Sequence, residues 1–384
     1  MSMDNRNTNN FLEEKQIRLS LIFKPIAAIF TTYILLLMLA KDKPSILLIS
    51  ISLGNGLIFI LGNILWNRRK YLKNTTENFT ETIDETDEYN NSEIQPQESI
   101  REQILKKIDQ GENPSSLNLI FADLKDVQLI GINFNNMYLS GVELNNANLT
   151  NAQLIGVDLS EASLCEAKLI DAQLVGANLN SIKLINANLN NANLRDSNLS
   201  TAILNNAYLI GAQLLGANLS DAKLLNANLT NAKLNGAYLW NANLNNTQLV
   251  NADLTCAYMN NVKLNDANLT RAILKDAQLT EAKLKNANLS LVNLTGVQLD
   301  NANLKNANLS EACLEKANLE NTNLEDANLD NTDLRKANLT NTNFINTKVK
   351  NARFGWNLGM KEDLQLYLKQ EGAIFEDELL VNGK

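Results

Sequence analysis

Histidine is absent from this chain of 384 residues. Without an imidazole, the protein cannot use a histidine base, a histidine-based catalytic triad or a histidine metal ligand. Cysteine is scarce, and Cys165, Cys256 and Cys313 lie far apart without a CxxC spacing. We therefore expect three unpaired thiols, as in proteins of a reducing compartment, with no redox or metal role.

Basic residues are missing from one stretch, residues 74–98, which contains eight acidic residues. This stretch also lacks an apolar period, and the combination predicts a disordered acidic linker. The net charge of the whole chain is −8, but residues 117–355 hold 18 basic and 21 acidic residues and are close to neutral. The acidity therefore lies mainly outside the central region.

Two long apolar runs lie near the N-terminus. Residues 45–66 contain no charged side chain, and residues 19–40 contain only Lys24. Each run is long enough to cross a bilayer as a helix, so we predict a hairpin of two transmembrane helices that contacts the lipid bilayer through residues 19–66. A cleaved signal peptide is a weaker interpretation, because no small-residue cleavage site follows and a second apolar run comes at once. A buried hairpin of a soluble domain is weaker too.

The basic residues around this hairpin predict its orientation. Eight of them flank its two outer ends, whereas the loop between the runs has only Lys41 and Lys43. By the positive-inside rule, residues 1–18 and everything after the second run face the cytoplasm. We therefore predict an integral membrane protein with both termini and the central region in the cytoplasm.

A short amphipathic helix is predicted at residues 99–111. Ser99 and Glu102 have the spacing of a capping box, and Gly111 suits the end of a helix. One apolar stripe runs along it, formed by Ile100, Ile104, Leu105 and Ile108. A single apolar stripe needs a surface to cover, and we expect that surface to be the end of the region that follows.

A period of five residues dominates the central region. From Leu119 to Phe354 every fifth residue is large and apolar, and 43 of these 48 positions are leucine. Two residues before each of them the side chain is usually small, with alanine at 32 of the 48 positions. A period of five fits neither a helix nor a flat strand, so the chain must turn a corner every five residues and stack as a solenoid.

The repeats resemble the pentapeptide-repeat family, whose consensus is A(D/N)LXX, as in residues 302–320, ANLKNANLSEACLEKANLE. The resemblance covers residues 117–355 and implies an all-β solenoid, a right-handed quadrilateral β-helix with four pentapeptides in each coil. Forty-eight repeats then form about twelve coils, a rod roughly 55–60 Å long at about 4.8 Å per coil. We expect short helices to cap this β-helix and the transmembrane hairpin to precede it.

The segment 356–384 is similar to the ending of several cyanobacterial-type pentapeptide proteins. We expect it to close the second end of the rod, with a helix near residues 361–370 and a short strand at residues 373–375. Open solenoid ends invite edge-to-edge pairing, so caps at both ends disfavour end-to-end oligomers.

Stacking at twenty residues predicts which surface side chains form columns. One column contains Ile130, Ile170, Ile210 and Val250, and a neighbouring column contains Ile155, Val175 and Leu215. Together they predict an apolar stripe on the half nearer the membrane spans, which is either a partner surface or an ordinary ladder of β-branched residues.

Two further groups of surface residues stand out. Tyr238, Trp240 and Tyr258 fall in adjacent coils, with Tyr138 on the same column. They are candidates for partner contact, although exposed aromatic residues of a ladder explain them as well. A separate column of basic residues, which a solvated face explains best, contains Lys183, Lys223, Lys263 and Lys283.

These features favour a non-enzymatic, membrane-tethered scaffold that presents flat faces to a protein partner, with no cofactor. An alternative is a DNA mimic that binds a topoisomerase, as some pentapeptide proteins do. A net charge of −3 on the repeat disfavours it, because duplex DNA carries one charge per ~1.7 Å, and we expect no nucleic-acid partner either. An enzyme is disfavoured because acids such as Asp158 and Glu161 lie on a convex surface without a predicted pocket.

Overall fold

Backbone ladders with a spacing of twenty residues build the central region. The computed structural model describes residues 98–112 and 114–376, which belong to one compact unit, Ile94–Lys384. Parallel bridges join residues twenty apart, from Asp123 with Glu143 to Asn338 with Leu358. Four bridges occur in every twenty residues, so each coil has four sides. We number these faces 1 to 4 by the first residues of their ladders, Asp123, Gln128, Asn133 and Tyr138.

The interior follows the predicted phase. All the central positions from Leu119 to Phe354 are buried, and so is nearly every small position before them. Each buried leucine contributes roughly 1.5–3 kcal/mol of transfer free energy before the loss of conformational entropy is subtracted. Where the small residue is Ser197 or Thr247, its hydroxyl donates to the carbonyl of the leucine three residues earlier, at 2.6 and 2.7 Å. The buried hydroxyls therefore do not stay without a partner.

The corners of the coil have a fixed backbone conformation. Every fifth residue from Phe121 to Trp356 has a positive φ, such as +58° at Asn231, and the N–H of Ala232 donates to the carbonyl of Leu229 across the turn at 3.0 Å. A positive φ at the third residue is the mark of a type II turn. This explains why Asn, Asp and Gly recur at that position, since they tolerate the left-handed region best.

The asparagine directly before the buried leucine accepts a hydrogen bond from the backbone of the turn. The backbone N–H that follows the leucine takes no part in the ladder between coils, and in most turns a side-chain oxygen accepts it instead. At Thr230 this N–H donates to Oδ1 of Asn228 at 3.0 Å, and the threonine hydroxyl donates to the same oxygen at 2.7 Å. The asparagine content of the repeat therefore follows from the need to satisfy one donor in each turn.

Helix α1, Ile100–Asp109, lies at the N-terminal end of the coils and is followed by a 3₁₀ turn at Pro114–Ser116. Its predicted capping box is present, with Ser99 Oγ accepting the N–H of Glu102 at 3.2 Å and the Glu102 carboxylate accepting the N–H of Ser99 at 2.9 Å. Ile104 is buried in the core of the solenoid, and Arg101 donates to the carbonyl of Lys125 at 2.7 Å. The helix thus covers the first coil with its apolar stripe.

The C-terminal end has its own pairing. Strand β1, Arg353–Phe354, is followed by helix α2, Glu362–Gln370, and by strand β2, Ile374–Phe375, which pairs in parallel with β1. Glu376 at the end of β2 accepts from Arg353 at 2.7 Å and from Arg335 at 3.0 Å, and Arg335 also pairs with Asp333. These ion pairs hold the last strand against face 3.

The structure contradicts the predicted localisation of an integral membrane protein with a cytoplasmic repeat. Within residues 98–112 and 114–376, no helix is long and apolar enough to cross a membrane. The physical reason is length, because α1 and α2 have ten and nine residues and span about 15 Å each, half of a hydrocarbon core. The predicted N-terminal segment 1–18, the spans 19–40 and 45–66 and the linker up to residue 97 lie outside the described residues.

The phase of the repeat is tested by one pair of neighbouring substitutions. Leu229→Asp places a charge in the dry interior, where Leu229 is fully buried, and should destabilise the protein by more than about 4 kcal/mol. Asn228→Asp keeps the acceptor oxygen for Thr230 and should change stability by less than about 0.5 kcal/mol. Thermal unfolding followed by circular dichroism measures both, and equal shifts would contradict the phase.

The ion pairs at the C-terminal end make stability depend on pH. The hydrogen bond from Arg353 is the main cause that lowers the pKa of Glu376 below its ordinary value. A carboxylate with a lowered pKa stabilises the folded state above its unfolded pKa, and this contribution is lost as the pH falls through the folded value. Glu376→Gln should therefore lower the melting temperature at pH 7, and the difference from the wild type should shrink below about pH 4.

The matched control for this pH series is Glu371→Gln. Glu371 is exposed and forms no salt bridge with any residue in the described part of the chain. We expect its substitution to leave the melting temperature nearly unchanged at both pH values. A Glu376→Gln difference that stays constant from pH 7 to pH 3 would show that the ion pairs do not stabilise this end.

Candidate interaction surface

The two predicted apolar columns lie on successive corners of the coil. Ile130, Ile170, Ile210 and Val250 follow the ladder of face 2, whereas Ile155, Val175 and Leu215 follow the ladder of face 3. Face 3 itself lies between them, and its ladder is polar over these coils: Gln153, Gln173, Asn193, Gln213. The structure therefore separates the predicted stripe into two apolar corners with a polar face between them.

Most residues of these corners are only half-buried by their neighbours. Ile130 and Ile155 are exposed, with 60% and 40% of their surface accessible, and the others are intermediate. Asparagines one coil earlier support some of them, since Asn135 accepts the N–H of Ile155 at 2.7 Å and Asn190 accepts that of Ile210 at 2.9 Å. The corners can thus serve as ordinary ladders as well as contact surfaces.

Three aromatic side chains form a cluster on face 4, which we call the aromatic cluster: Tyr238, Trp240 and Tyr258. The rings of Tyr238 and Tyr258 stack at 4.9 Å with an interplanar angle of 5°. Trp240 stands edge-on to both, at 6.1 and 6.4 Å. Tyr238 and Trp240 keep 40% and 46% of their surface exposed. Tyr138 lies on the same ladder five coils earlier and does not belong to the cluster.

A groove of about 300 Å³ lies beside the aromatic cluster, and we call it the aromatic groove. Tyr238 and Trp240 form its wall, and short residues of the two preceding coils form its floor: Asn198, Asn218, Gly216, Ser220. The groove exists because long aromatic rings follow asparagine and serine on the same columns. Gly216 adds to its depth, since it has no side chain at a corner where φ is +62°.

The aromatic groove also brings one apolar corner close to the cluster. Leu215 immediately precedes Gly216, so the corner with Ile155 and Val175 borders the same face as Tyr238. The sequence pattern did not single out the floor residues. The available signal was a column of short side chains, Asn198 and Asn218, interrupted by tyrosine twenty residues later.

Charged side chains are sorted by face around this site. The lysine column, Lys183, Lys223, Lys263 and Lys283, lies exposed on the ladder of face 1. Asp196, by contrast, lines the aromatic groove. Tyr208, which is 51% exposed, lies on face 2 away from the cluster and was not predicted as a site residue.

The described part of the chain contains no assembled metal site and no pair of cysteines close enough to bond. No group of three or more acidic or cysteine side chains there could hold a metal ion. Cys165, Cys256 and Cys313 are unpaired, and Cys256 is exposed at a corner with a φ of +56°.

The double variant Tyr238→Asn/Trp240→Ser tests whether the aromatic cluster holds the coils together. It introduces the residues that the preceding coil carries at these positions, Asn218 and Ser220. Because ring stacking contributes only ~0.5–1.5 kcal/mol per pair, the stability loss for the three contacts should lie between about 1.5 and 4.5 kcal/mol. Thermal unfolding checks this, and a loss clearly above about 4.5 kcal/mol would assign the cluster a structural purpose.

Comparisons with known proteins agree with this architecture. The family model of pentapeptide repeats matches in eight copies, which together cover residues 118–310 and 317–355. HetL from the cyanobacterium Nostoc sp. strain PCC 7120, a pentapeptide repeat protein involved in heterocyst differentiation regulation, is 28% identical. That similarity covers 66% of this chain and 96% of HetL, with a TM-score of 0.26.

Two other solved structures are also similar. A pentapeptide repeat protein from the thylakoid lumen of Arabidopsis thaliana is 25% identical over 37% of this chain and 86% of its own, with a TM-score of 0.19. The plasmid-mediated fluoroquinolone resistance protein QnrB1 is 14% identical over 65% of this chain and 94% of its own, with a TM-score of 0.23. No curated protein sequence matches significantly. The family model matches more than half of the residues of this chain, so the chain belongs to the pentapeptide repeat family.

Proposed function

We propose that this protein is a non-enzymatic scaffold whose β-solenoid presents its faces to a protein partner. In this proposal residues 117–355 form a rod of about twelve coils. The helix within residues 99–111 and the segment 356–384 close its two ends and keep it from stacking on other copies.

The exposure of the aromatic cluster is the observation that carries the proposal. Tyrosine and tryptophan are enriched among residues that dominate binding energy at protein interfaces. Tyr238 and Trp240 remain about 40–46% exposed although smaller residues occupy the same columns in the preceding coils. Nothing in the packing of the solenoid requires large rings there, so contact with a partner explains them better than stability does.

The two apolar corners extend this candidate surface. Leu215 borders face 4 one coil before Tyr238, and Val175 and Ile155 lie three and four coils before it on the same corner, beyond Arg195. We assign these apolar residues to the same interface. The corner with Ile130, Ile170, Ile210 and Val250 lies on the far side of face 3 and would be reached only by a partner that wraps around that face.

An enzymatic reading is disfavoured by where the perturbed acids lie. Within the described residues, the acids with a lowered pKa are dispersed: Glu102 in the N-terminal helix, Asp253 and Asp333 on face 3, Glu315 on a corner and Glu376 at the C-terminal end. For Asp333, burial would raise the pKa, but hydrogen bonds from Arg335 outweigh that effect. Catalytic sites typically gather such groups in one cleft.

Mimicry of DNA is not favoured either. The exposed lysines of face 1 form a column along the solenoid, whereas duplex DNA carries negative charge on all sides. A topoisomerase partner would therefore meet a surface of the wrong sign on one of the four faces.

Photo-crosslinking in the cells that make the protein tests the proposal. Benzoyl-phenylalanine in place of Tyr238 should form an adduct with one defined protein, because partner contact covers the aromatic cluster. The same amino acid in place of Tyr208, which is 51% exposed on face 2 against 40% for Tyr238, is the matched control and should not form that adduct. Absence of any adduct from position 238, or the same adducts from both positions, would contradict the proposed surface.

A further inference from the structure

Acidic side chains that form no salt bridge within the described residues lie along the same side of the solenoid as the aromatic groove, from four coils before Tyr238 to four coils after Trp240. They belong to face 4 and to the corner between faces 4 and 1, and we call them the acidic strip: Asp158, Glu161, Asp221, Glu281, Asp300 and Glu320. The three columns that form the strip begin at Tyr138, Ser140 and Gly141 and contain no lysine or arginine. Within the described part of the chain, none of these six carboxylates forms a salt bridge.

Two carboxylates stand on opposite sides of the aromatic groove itself. Asp196 lines the groove on the corner between faces 3 and 4, where its Oδ1 lies 2.6 Å from the point that a Cβ of Gly216 would occupy. Asp221 follows the floor residue Ser220 on the opposite corner, and its N–H donates to the carbonyl of Trp240 at 2.8 Å. The groove thus has aromatic rings on one wall and the carboxylate of Asp196 in its lining, and Asp221 lies next to the floor residue Ser220 on the opposite corner.

The size of the aromatic groove limits what it can hold. A volume of about 300 Å³ is at the lower limit for small-molecule sites, and it suits one long side chain better than a folded element. Aromatic faces attract cations, and the flat guanidinium of arginine stacks on tryptophan and tyrosine while it donates to carboxylates. An arginine side chain therefore matches both the wall and the carboxylates of Asp196 and Asp221.

We propose that the aromatic groove receives an arginine from a positively charged segment of the partner protein, with further basic residues of that segment lying along the acidic strip. The arginine packs against Trp240 and Tyr238 and donates to Asp196 and Asp221. This inference rests on the proposed function, since it specifies the chemistry of the partner. Arg195, the base nearest to Asp196 in the chain, weakens the attraction and does not provide it.

Peptide binding to the full-length chain tests this directly. The probe is a fluorescein-labelled peptide of sequence GKGGRGGKG, and its control replaces the arginine with citrulline, which has the same shape without the charge. Anisotropy titrations at low ionic strength should show about tenfold weaker binding of the citrulline peptide, as expected for the loss of charge-assisted hydrogen bonds. Equal binding of the two peptides would overturn the inference.

Variants of the chain locate the binding. Trp240→Ser removes the wall, and Gly216→Asn fills the floor. Asparagine is tolerated above an aspartate at the equivalent position of another corner, where Asn286 donates to Asp266 at 2.9 Å. Both substitutions should weaken binding of the arginine peptide at least tenfold, whereas Arg195→Gln should strengthen its binding. Tyr208→Asn, which removes an exposed tyrosine from face 2, should change nothing.

Circular dichroism should show that each variant is folded. The new residues in Trp240→Ser, Gly216→Asn and Tyr208→Asn already occur at equivalent positions of the repeat, and Arg195→Gln changes an exposed side chain. Binding that survives both Trp240→Ser and Gly216→Asn would place the peptide elsewhere and overturn the inference. Failure here is distinguishable from failure of the proposed function. If Tyr238 crosslinks to a partner but the arginine peptide binds no better than its citrulline control, the proposed interface is supported and the proposed arginine recognition is contradicted.

Discussion

Stacking of buried leucines on the parallel backbone ladder is the constraint on which the structure depends. Each leucine is buried only because the next coil covers it, and each coil is held at ladder distance by hydrogen bonds such as that from Leu229 N–H to the carbonyl of Gln248, 2.7 Å long. The alanine two residues earlier leaves the space that this spacing needs. A change of phase by one residue would expose every leucine, so the period tolerates substitution but no slip.

Because the interior is so regular, the repeats differ from one another mainly at the positions whose side chains point outward. The corner residue has a positive φ in every turn, and most corners use Asn, Asp or Gly to adopt it. Exceptions such as Leu291, with a φ of +61°, show that the stacked coils impose the conformation even on unfavourable residues. Departures from the repeat are thus the natural places to look for function, and the aromatic cluster is such a departure. Gly216, Asn218 and Trp240 fit the regular solenoid, and together they line a groove on its surface.

Electrostatics add direction to this otherwise uniform rod. Four lysines form a column on face 1, whereas the three columns of the acidic strip contain carboxylates and no lysine or arginine, although the net charge of the repeat is small. In water, charges separated by more than a Debye length of about 8 Å act nearly independently at physiological ionic strength. A partner therefore meets the local sign of one face and not the average of the rod.

Much of the fold was predictable from residue types and their spacing. The phase of the leucines, the capping box of Ser99 and Glu102 and the two surface columns follow from patterns that are local or strictly periodic. The predicted localisation as an integral membrane protein was wrong, because the helices of the described residues are too short to cross a bilayer. The aromatic groove was missed, because its floor consists of short polar residues that carry no signal by themselves.

The sequence by itself determined which side chains lie inside, since burial in a solenoid depends only on the position of a residue within its period. The tertiary structure decided which surface side chains lie close enough together to form a common surface. Whether Ile155 and Ile130 share a surface, whether Tyr238 stacks on Tyr258, and how deep the surface lies beside Trp240 depend on contacts between coils. Those contacts join residues twenty apart whose side chains are chosen independently, so only the stacked structure shows which of them meet.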